Sequence, residues 1–308
     1  MPNLNVNGIR IAFDTAGDPK AVPLLLINGL GLQLISWPDG FVEGLADLGF
    51  YVIRFDNRDC GLSTKFDKAG TPNLALAWLR SRLRLPLKPA YRLEDMAGDA
   101  IAVLSALGVA RAHVVGLSMG GMIAQLVAAR FPARVLSLTS IMSSSGRRGL
   151  PGPTAAVRRA FMRRPAMPGD LDSMAQQSVR LLQALASPAY PTPEKQLHRR
   201  VMRALRRNCC PAGVARQTLA VMADGDRTPL LRTIAAPTLV IHGAADPLVP
   251  LACGVDTAAA IPGARLEVIQ GMGHDLPGQL LERLLALIDA HAHGKMALDS
   301  TPRLFVKQ

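Results

Sequence analysis

Residues 113–122 read HVVGLSMGGM and set one serine, Ser118, in an apolar run with Gly116 two places before it and Gly120 two places after. A strand that turns abruptly into a helix crowds the backbone around the turning residue, and hydrogen side chains on both sides relieve that crowding. Such a turn lifts the hydroxyl clear of a sheet, and the first N–H groups of the following helix favour negative charge beside it. A serine that only caps a helix is the structural alternative. A hydroxyl becomes a useful nucleophile when a base takes its proton and an acid fixes the orientation of that base. His274, in GMGHD just beyond the last core strand, lies in a glycine-bounded loop and is the expected base. The other five histidines read as structural: His113 enters a strand, His198 sits among arginines, His242 ends a buried strand, and His291 and His293 close the last helix. Asp246, in GAADPLVP beyond another strand, is the expected acid, with Pro247 restraining its loop. Asp275 adjoins the histidine, but neighbouring side chains diverge, so it reads as the N-cap of a helix over 276–290.

Attack on a carbonyl also needs donors for the oxygen that turns negative. Met119 supplies one backbone N–H at the start of the helix. The second is expected from Leu30, in the loop after LLLINGLG, where Gly29 and Gly31 let the backbone approach closely and Asn28 hydrogen-bonds within the turn. An ordinary flexible loop is the plain alternative. A substrate pocket is expected near Asn28, Gly29, Trp37 and Met142: an aromatic ring covers one side of a flat ligand and methionine adapts to irregular apolar shapes. Burial alone equally explains Met142, and Trp37 equally serves as an anchor for its loop. Neither a dinucleotide nor a P-loop glycine pattern occurs here.

The elements that must hold these residues are legible in outline. LNVNGIRIAFD (4–14) predicts a hairpin turning at Asn7–Gly8. PLLLINGLG (23–31), FYVIRFDNRDCG (50–61), AHVVGLSMG (112–120), RVLSLTSIMSSSG (134–146), PTLVIHGAADP (237–247) and ARLEVIQGMGHD (264–275) predict strands. Their lack of alternation, with helices such as 93–109 between them, predicts a mostly parallel sheet covered on both faces. Residues 147–229 carry no convincing strand. Proline-rich loops lead there into helices expected over 170–186, 193–207 and 211–223. The fold class is therefore α/β: a discontinuous core over 1–142 and 230–294, a helical cap over 143–229, and a tail over 295–308 without assignment.

The chain has 308 residues, 49% hydrophobic, and a net charge of +12. Fourteen Lys and Arg against three acids between Ser143 and Arg216 hold most of that excess. They alternate with Leu, Val and Met at helical intervals, as in LHRRVMRALRR, so the reading is the solvated face of amphipathic helices. No zinc-finger or RNA-binding aromatic pattern supports a nucleic-acid partner. The start, MPNLNVNGIRIAFD, lacks a signal-peptide pattern and the apolar stretches are too short or glycine-broken to span a bilayer, so a cytoplasmic protein is expected. Cys60, Cys209, Cys210 and Cys253 show no metal-ligand spacing and are expected as thiols. No metal or organic cofactor is called for, and oligomeric state is unreadable.

Taken together, the motifs resemble the α/β-hydrolase superfamily along essentially the whole chain. NGLG (28–31) is similar to its HG-x-G oxyanion loop, RFDNRDCGLS (54–63) to its D-x-R-G-x-G-x-S segment, GLSMG to its nucleophile turn, and HGAADPLVP with GMGHD to its acid and histidine loops. The order serine, acid, histidine is the family's own. Asn28 stands where histidine is usual, and Asp59 where glycine is usual. RFDNRDCGLST with AHVVGLSMG particularly resembles the esterases grouped with aclacinomycin methylesterase. That resemblance implies hydrolysis of a carboxylic ester, such as a methyl ester on a polycyclic compound or a macrolide lactone. Amide hydrolysis by the same residues is one alternative; a non-catalytic binding protein on a hydrolase shell is another.

Overall fold

Alternation along the central strands explains the architecture of the computed structural model, which describes residues 1–161 and 170–294. In β3 (Val22–Ile27), Leu25 and Ile27 point to one apolar cluster while Leu24 and Leu26 point to another. Strand β4 (Phe50–Phe55) divides likewise, with Ile53 and Phe55 on the first side and Phe50 and Val52 on the second. A sheet apolar on both faces must be covered twice. The hairpin β1 (Asn3–Val6) and β2 (Ile9–Ala16) turns at Asn7 and Gly8, both with positive φ. Strands β5 (Ala112–Leu117), β6 (Val135–Ile141), β7 (Thr238–Gly243) and β8 (Arg265–Ile269) complete a sheet ordered β1-β2-β4-β3-β5-β6-β7-β8. Only the β1–β2 and β2–β4 pairings are antiparallel.

Helices α1 (Asp39–Asp47), α2 (Leu74–Arg82), α3 (Leu93–Ala106) and α4 (Met119–Arg130) precede β6. Between β6 and β7 lie α5 (Ala155–Phe161), α6 (Leu171–Leu185), α7 (Glu194–Arg207), α8 (Pro211–Asp224) and the short α9 (Thr228–Leu231). Helix α10 (Leu251–Ala260) precedes β8, and α11 (Leu281–Ala292) closes the described chain. Met96, Ala100 and Val103 of α3 and Ile123 and Val127 of α4 cover one face of the sheet. Phe41 and Leu45 of α1 and Leu284 and Ile288 of α11 cover the other. Burying each such Met, Val, Ile, Leu or Phe side chain contributes roughly 1.5–3 kcal/mol. Ala175, Val179, Leu197 and Val201 form a separate small cluster within the insert between α6 and α7.

Three differences from the sequence reading have physical causes. Helices α1, α2 and α5 were not expected: α1 is short and carries Gly40 and Gly44, α2 leaves large apolar residues exposed, and α5 is only seven residues long. Gly44 lets α1 lie close to α11, since a Cβ there would be 2.5 Å from Leu285 Cδ1 and would make that side chain move. Asp275 is not a helix N-cap. The last helix starts only at Leu281, after Pro277 and a tight turn over Gly278–Leu280, and the Asp275 carboxylate turns instead to Ser187. The arginine-rich segment is only partly a solvated face: Arg199, Arg200, Arg203 and Arg206 are exposed, but Arg216 is buried. The tail over 295–308 lies outside the described residues. Among those described, no helix is long and apolar enough to cross a membrane.

Candidate active site

Ser118 stands between β5 and α4 with φ 55° and ψ −118°, a conformation costing a non-glycine residue about 1–3 kcal/mol. Its neighbours show why the turn exists at all. A Cβ at Gly116 would lie 2.2 Å from the Gly120 carbonyl oxygen, and one at Gly120 would lie 2.0 Å from that of Ile27. The Ser118 N–H donates to the Ile141 carbonyl, while its own carbonyl accepts from Gly121 and Met122, fixing strand and helix around one residue.

The structure brings Ser118, His274 and Asp246 together across 156 and 28 residues of chain. His274 Nδ1 is 2.7 Å from Asp246 Oδ2, and its Nε2 is 3.0 Å from Ser118 Oγ. The carboxylate accepts a hydrogen bond from Nδ1–H, which leaves Nε2 free to accept from the serine hydroxyl. Asp246 is itself held: its Oδ1 accepts from the Leu248 and Val249 N–H groups at 2.9 and 2.8 Å. His242, in the same corner, donates from Nε2 to the Val249 carbonyl at 2.7 Å, and burial pushes its pKa down, so it braces the acid loop as a neutral ring. His113 pairs with Ser137 and His291 donates to the Leu138 carbonyl, both away from the nucleophile.

The second donor loop sits directly against the serine. A Cβ at Gly29 would lie 3.3 Å from Ser118 Cβ, so glycine permits that approach. Asn28 donates from Nδ2 to the Gln33 carbonyl at 2.8 Å, and its own carbonyl accepts from Asn57 Nδ2 at 3.1 Å. Two amides of this loop are engaged, Gly31 donating to Gln217 Oε1 and Leu32 to the Gly29 carbonyl. Met119 occupies the first position of α4, where no intrahelical acceptor exists for its N–H. Trp37 and Met142 are each about 1% exposed. Trp37 stacks on Phe41 at 5.5 Å and Met142 belongs to the same buried apolar cluster, so both are built into the core instead of offering an open face to a ligand.

Sequence reasoning missed the side chains that hold the two loops. Ser187, just after α6, donates from N and Oγ to Asp275 Oδ1 at 3.0 and 2.5 Å and accepts from the Gly273 N–H at 2.8 Å. The His274 N–H donates to the Leu185 carbonyl. Burial pushes the Asp275 carboxyl above its usual range, with the Ser187 bonds opposing that shift. On the donor-loop side, Gln33 donates from Nε2 to the Ala204 and Asn208 carbonyls at the end of α7, and its Oε1 accepts from Arg207. Arg207 also pairs at 2.8 Å with Asp56, whose carboxylate accepts from the Leu34 N–H. Gln217 of α8 bridges the Gly31 N–H to the Arg58 carbonyl. The insert thus grips both loops that converge on Ser118.

Asp59, where a glycine was expected, keeps the glycine-like φ of 66°. Burial alone would raise its pKa. Hydrogen bonds from Arg216, the Phe66 N–H and Tyr91 outweigh that and hold the carboxyl below its ordinary range. Arg216 Nη2 and Nε lie 2.7 and 2.8 Å from it. The unusual residue is therefore a core anchor for α8.

A strained serine between strand and helix, a base and acid on loops beyond neighbouring parallel strands, and a glycine-rich donor loop define a hydrolase of the α/β class. A family model described as alpha/beta hydrolase fold matches residues 22–278, and the chain belongs to that family. Two relatives are rhodomycin D methylesterases. That of Streptomyces sp. (strain C5) is 33% identical over 296 residues, and that of Streptomyces peucetius 34% over 297; each match covers 89% of this chain and 92% of the relative. An enol-lactonase from Burkholderia xenovorans superposes with a TM-score of 0.69 at 25% identity, over 94% of this chain and 97% of that one. A meta-cleavage product hydrolase from Pseudomonas fluorescens, 18% identical, shares the fold with a TM-score of 0.74, over 96% of this chain and 98% of that one. The protein is an esterase-type hydrolase.

Proposed function

We propose that this protein is a serine carboxylic-ester hydrolase acting through an acyl-enzyme on a moderately large apolar ester or lactone. The observation that carries the reading is the continuous path from Ser118 Oγ through His274 to Asp246, at 3.0 and 2.7 Å. Ser118 Oγ attacks the ester carbonyl carbon while His274 Nε2 takes its proton, and Asp246 stabilises the imidazolium. The carbonyl oxygen becomes an oxyanion held by the Met119 and Leu30 N–H groups, each such donor worth about 3–4 kcal/mol in the transition state. Collapse breaks the bond to the alcohol oxygen, which leaves with the proton from His274. Water then gives a proton to His274 and its oxygen to the acyl carbon; the bond from that carbon to Ser118 Oγ breaks as His274 returns the proton to Oγ, and the acid leaves. Metal and organic cofactors have no step to perform in this sequence.

Substrate class rests on two supports. The Streptomyces relatives are named for a methyl ester, and a methyl ester on a polycyclic compound is the chemistry implied by the RFDNRDCGLST resemblance. In this reading residues 143–229 form a cap that shapes the acyl and alcohol sites, while the core supplies the reacting groups. Purified protein offered polycyclic methyl esters, macrolactones, short p-nitrophenyl esters and the matching amides tests it. Methanol release from the polycyclic methyl esters with the highest kcat/KM is the expected result. Cleavage confined to amides would overturn the esterase assignment, and ligand binding without turnover of any of them would favour the binding-protein alternative.

A further inference from the structure

Helix α2 and the turn after it leave Leu76, Trp78, Leu79, Leu83 and Leu85 standing in solvent, with Trp78 58% and Leu83 60% exposed. Leu76, Leu79 and Leu83 follow helical spacing and share one ridge, while buried Ala77 faces inward and α2 packs on α8. Between these residues project Arg80, Arg82, Arg84 and Lys88, and the stretch from Lys68 to Leu93 contains no Asp or Glu. The turn is fixed by Leu85 N–H donating to the Arg80 carbonyl and by Arg80 holding the Pro86 carbonyl. Arg84 occupies the left-handed position of that turn, φ 59°, where glycine is the residue that fits without strain. A cation is thus presented where a smaller residue would be more stable. The Arg82 guanidinium lies 5.5 Å from the Trp78 ring centre.

We infer that this face docks on an anionic phospholipid surface. Exposed leucines interleaved with arginines, with no acid between Lys68 and Leu93, match an anionic bilayer, which accepts leucines below its headgroups without shape matching. Tryptophan sits well at that boundary, and arginines beside it reach the headgroup phosphates along their own apolar stems. A second copy of this chain is the poorer occupant, because an isologous contact would set Arg82 and Arg84 against their own images on a protein already carrying +12. Because α2 rests on α8, docking would place the membrane beside the helix whose Gln217 braces the Gly31 amide. The docking does not depend on the substrate reading. It supplies that reading with a source of apolar esters.

Tryptophan emission offers a direct test, because the chain holds two tryptophans and Trp37 is 1% exposed. Full-length protein is mixed with vesicles of phosphatidylcholine containing phosphatidylglycerol, and with phosphatidylcholine alone. Expected are co-sedimentation and a blue shift with the anionic vesicles only, both weakened by salt, the shift being lost in Trp78→Phe. Arg82→Glu with Arg84→Glu should lower partitioning on the order of thirtyfold or more. Leu79→Ser with Leu83→Ser, also at exposed positions, should abolish it while circular dichroism stays unchanged. Protein remaining in the supernatant at low salt, or unaltered binding by these variants, would overturn the inference. So would a dimer that the leucine variant dissolves, or a Trp78 shift produced by poly-glutamate but not by vesicles, which would reassign the face to an acidic protein.

Discussion

In the proposed mechanism Ser118, His274 and Asp246 divide one task that no one of them performs alone, so their removal should not give additive losses. Ser118→Ala is expected to leave the fold intact and lower kcat by about a millionfold, measured on whichever ester turns over fastest. Asp246→Asn should cost about ten-thousandfold because the imidazole loses the acceptor that sets its tautomer. Asp275→Asn keeps an oxygen for Ser187 and should cost less than about tenfold; the reverse order of these two effects in steady-state kinetics would exchange their roles. That Ser118, His274 and Asp246 converge was legible because a strand, two glycines and a helix mark the serine turn, and because only one histidine lies in a glycine-bounded loop past a core strand. Ser187 was not legible. Its partner is 88 residues away, and an adjacent Asp275 gives no signal of turning to a distant helix end rather than capping its own.

At the level of elements, the helices between β6 and β7 brace the two loops that meet at Ser118. Ser187→Ala removes a donor to Asp275 and the acceptor for Gly273, and a shift of about 1 Å in the histidine loop costs up to about a hundredfold in rate. The expected signature is a fall in kcat with little change in KM, restored in part by Ser187→Thr; an altered KM at unchanged kcat would place Ser187 in binding instead. Arg216→Met should destabilise the protein by about 3–5 kcal/mol, since it strands the Asp59 carboxylate inside the fold. Adding Asp59→Gly should return much of that in urea unfolding, because glycine suits φ 66° and the buried charge is gone. The strand positions and the three long helices of the insert were readable from apolar runs and periodicity. Helix α2 was not, because its exposed leucines hide the period, and Arg216 looked like one more solvated cation until its fold partner Asp59 lay beside it.

For the whole molecule, pH and charge act in separate places. Burial, with His291 and His293 nearby, lowers the His113 pKa to about 4, and burial lowers that of His291 as well. A ring kept neutral in the folded state binds fewer protons than in the unfolded chain between that value and its ordinary one, about 6.5, so stability falls as pH drops through this window. For His113 the loss approaches about 2 kcal/mol by roughly pH 5 relative to neutrality, and His113→Gln should flatten the urea-unfolding profile there. A profile unchanged by that substitution would assign the acid sensitivity elsewhere. The sheet and its flanking layers were foreseeable because β3, β4 and β5 are apolar on both faces, whereas the grip of the insert on two loops depends on pairs separated by more than 80 residues. The account as a whole turns on Ser118 being the group that receives the acyl chain. Treating the full-length protein with a p-nitrophenyl alkylphosphonate and mapping the adduct by mass spectrometry tests this most directly. One phosphonate on Ser118, with activity lost in proportion and no adduct in Ser118→Ala, is the predicted result; a label on another residue with Ser118 unmodified would contradict it.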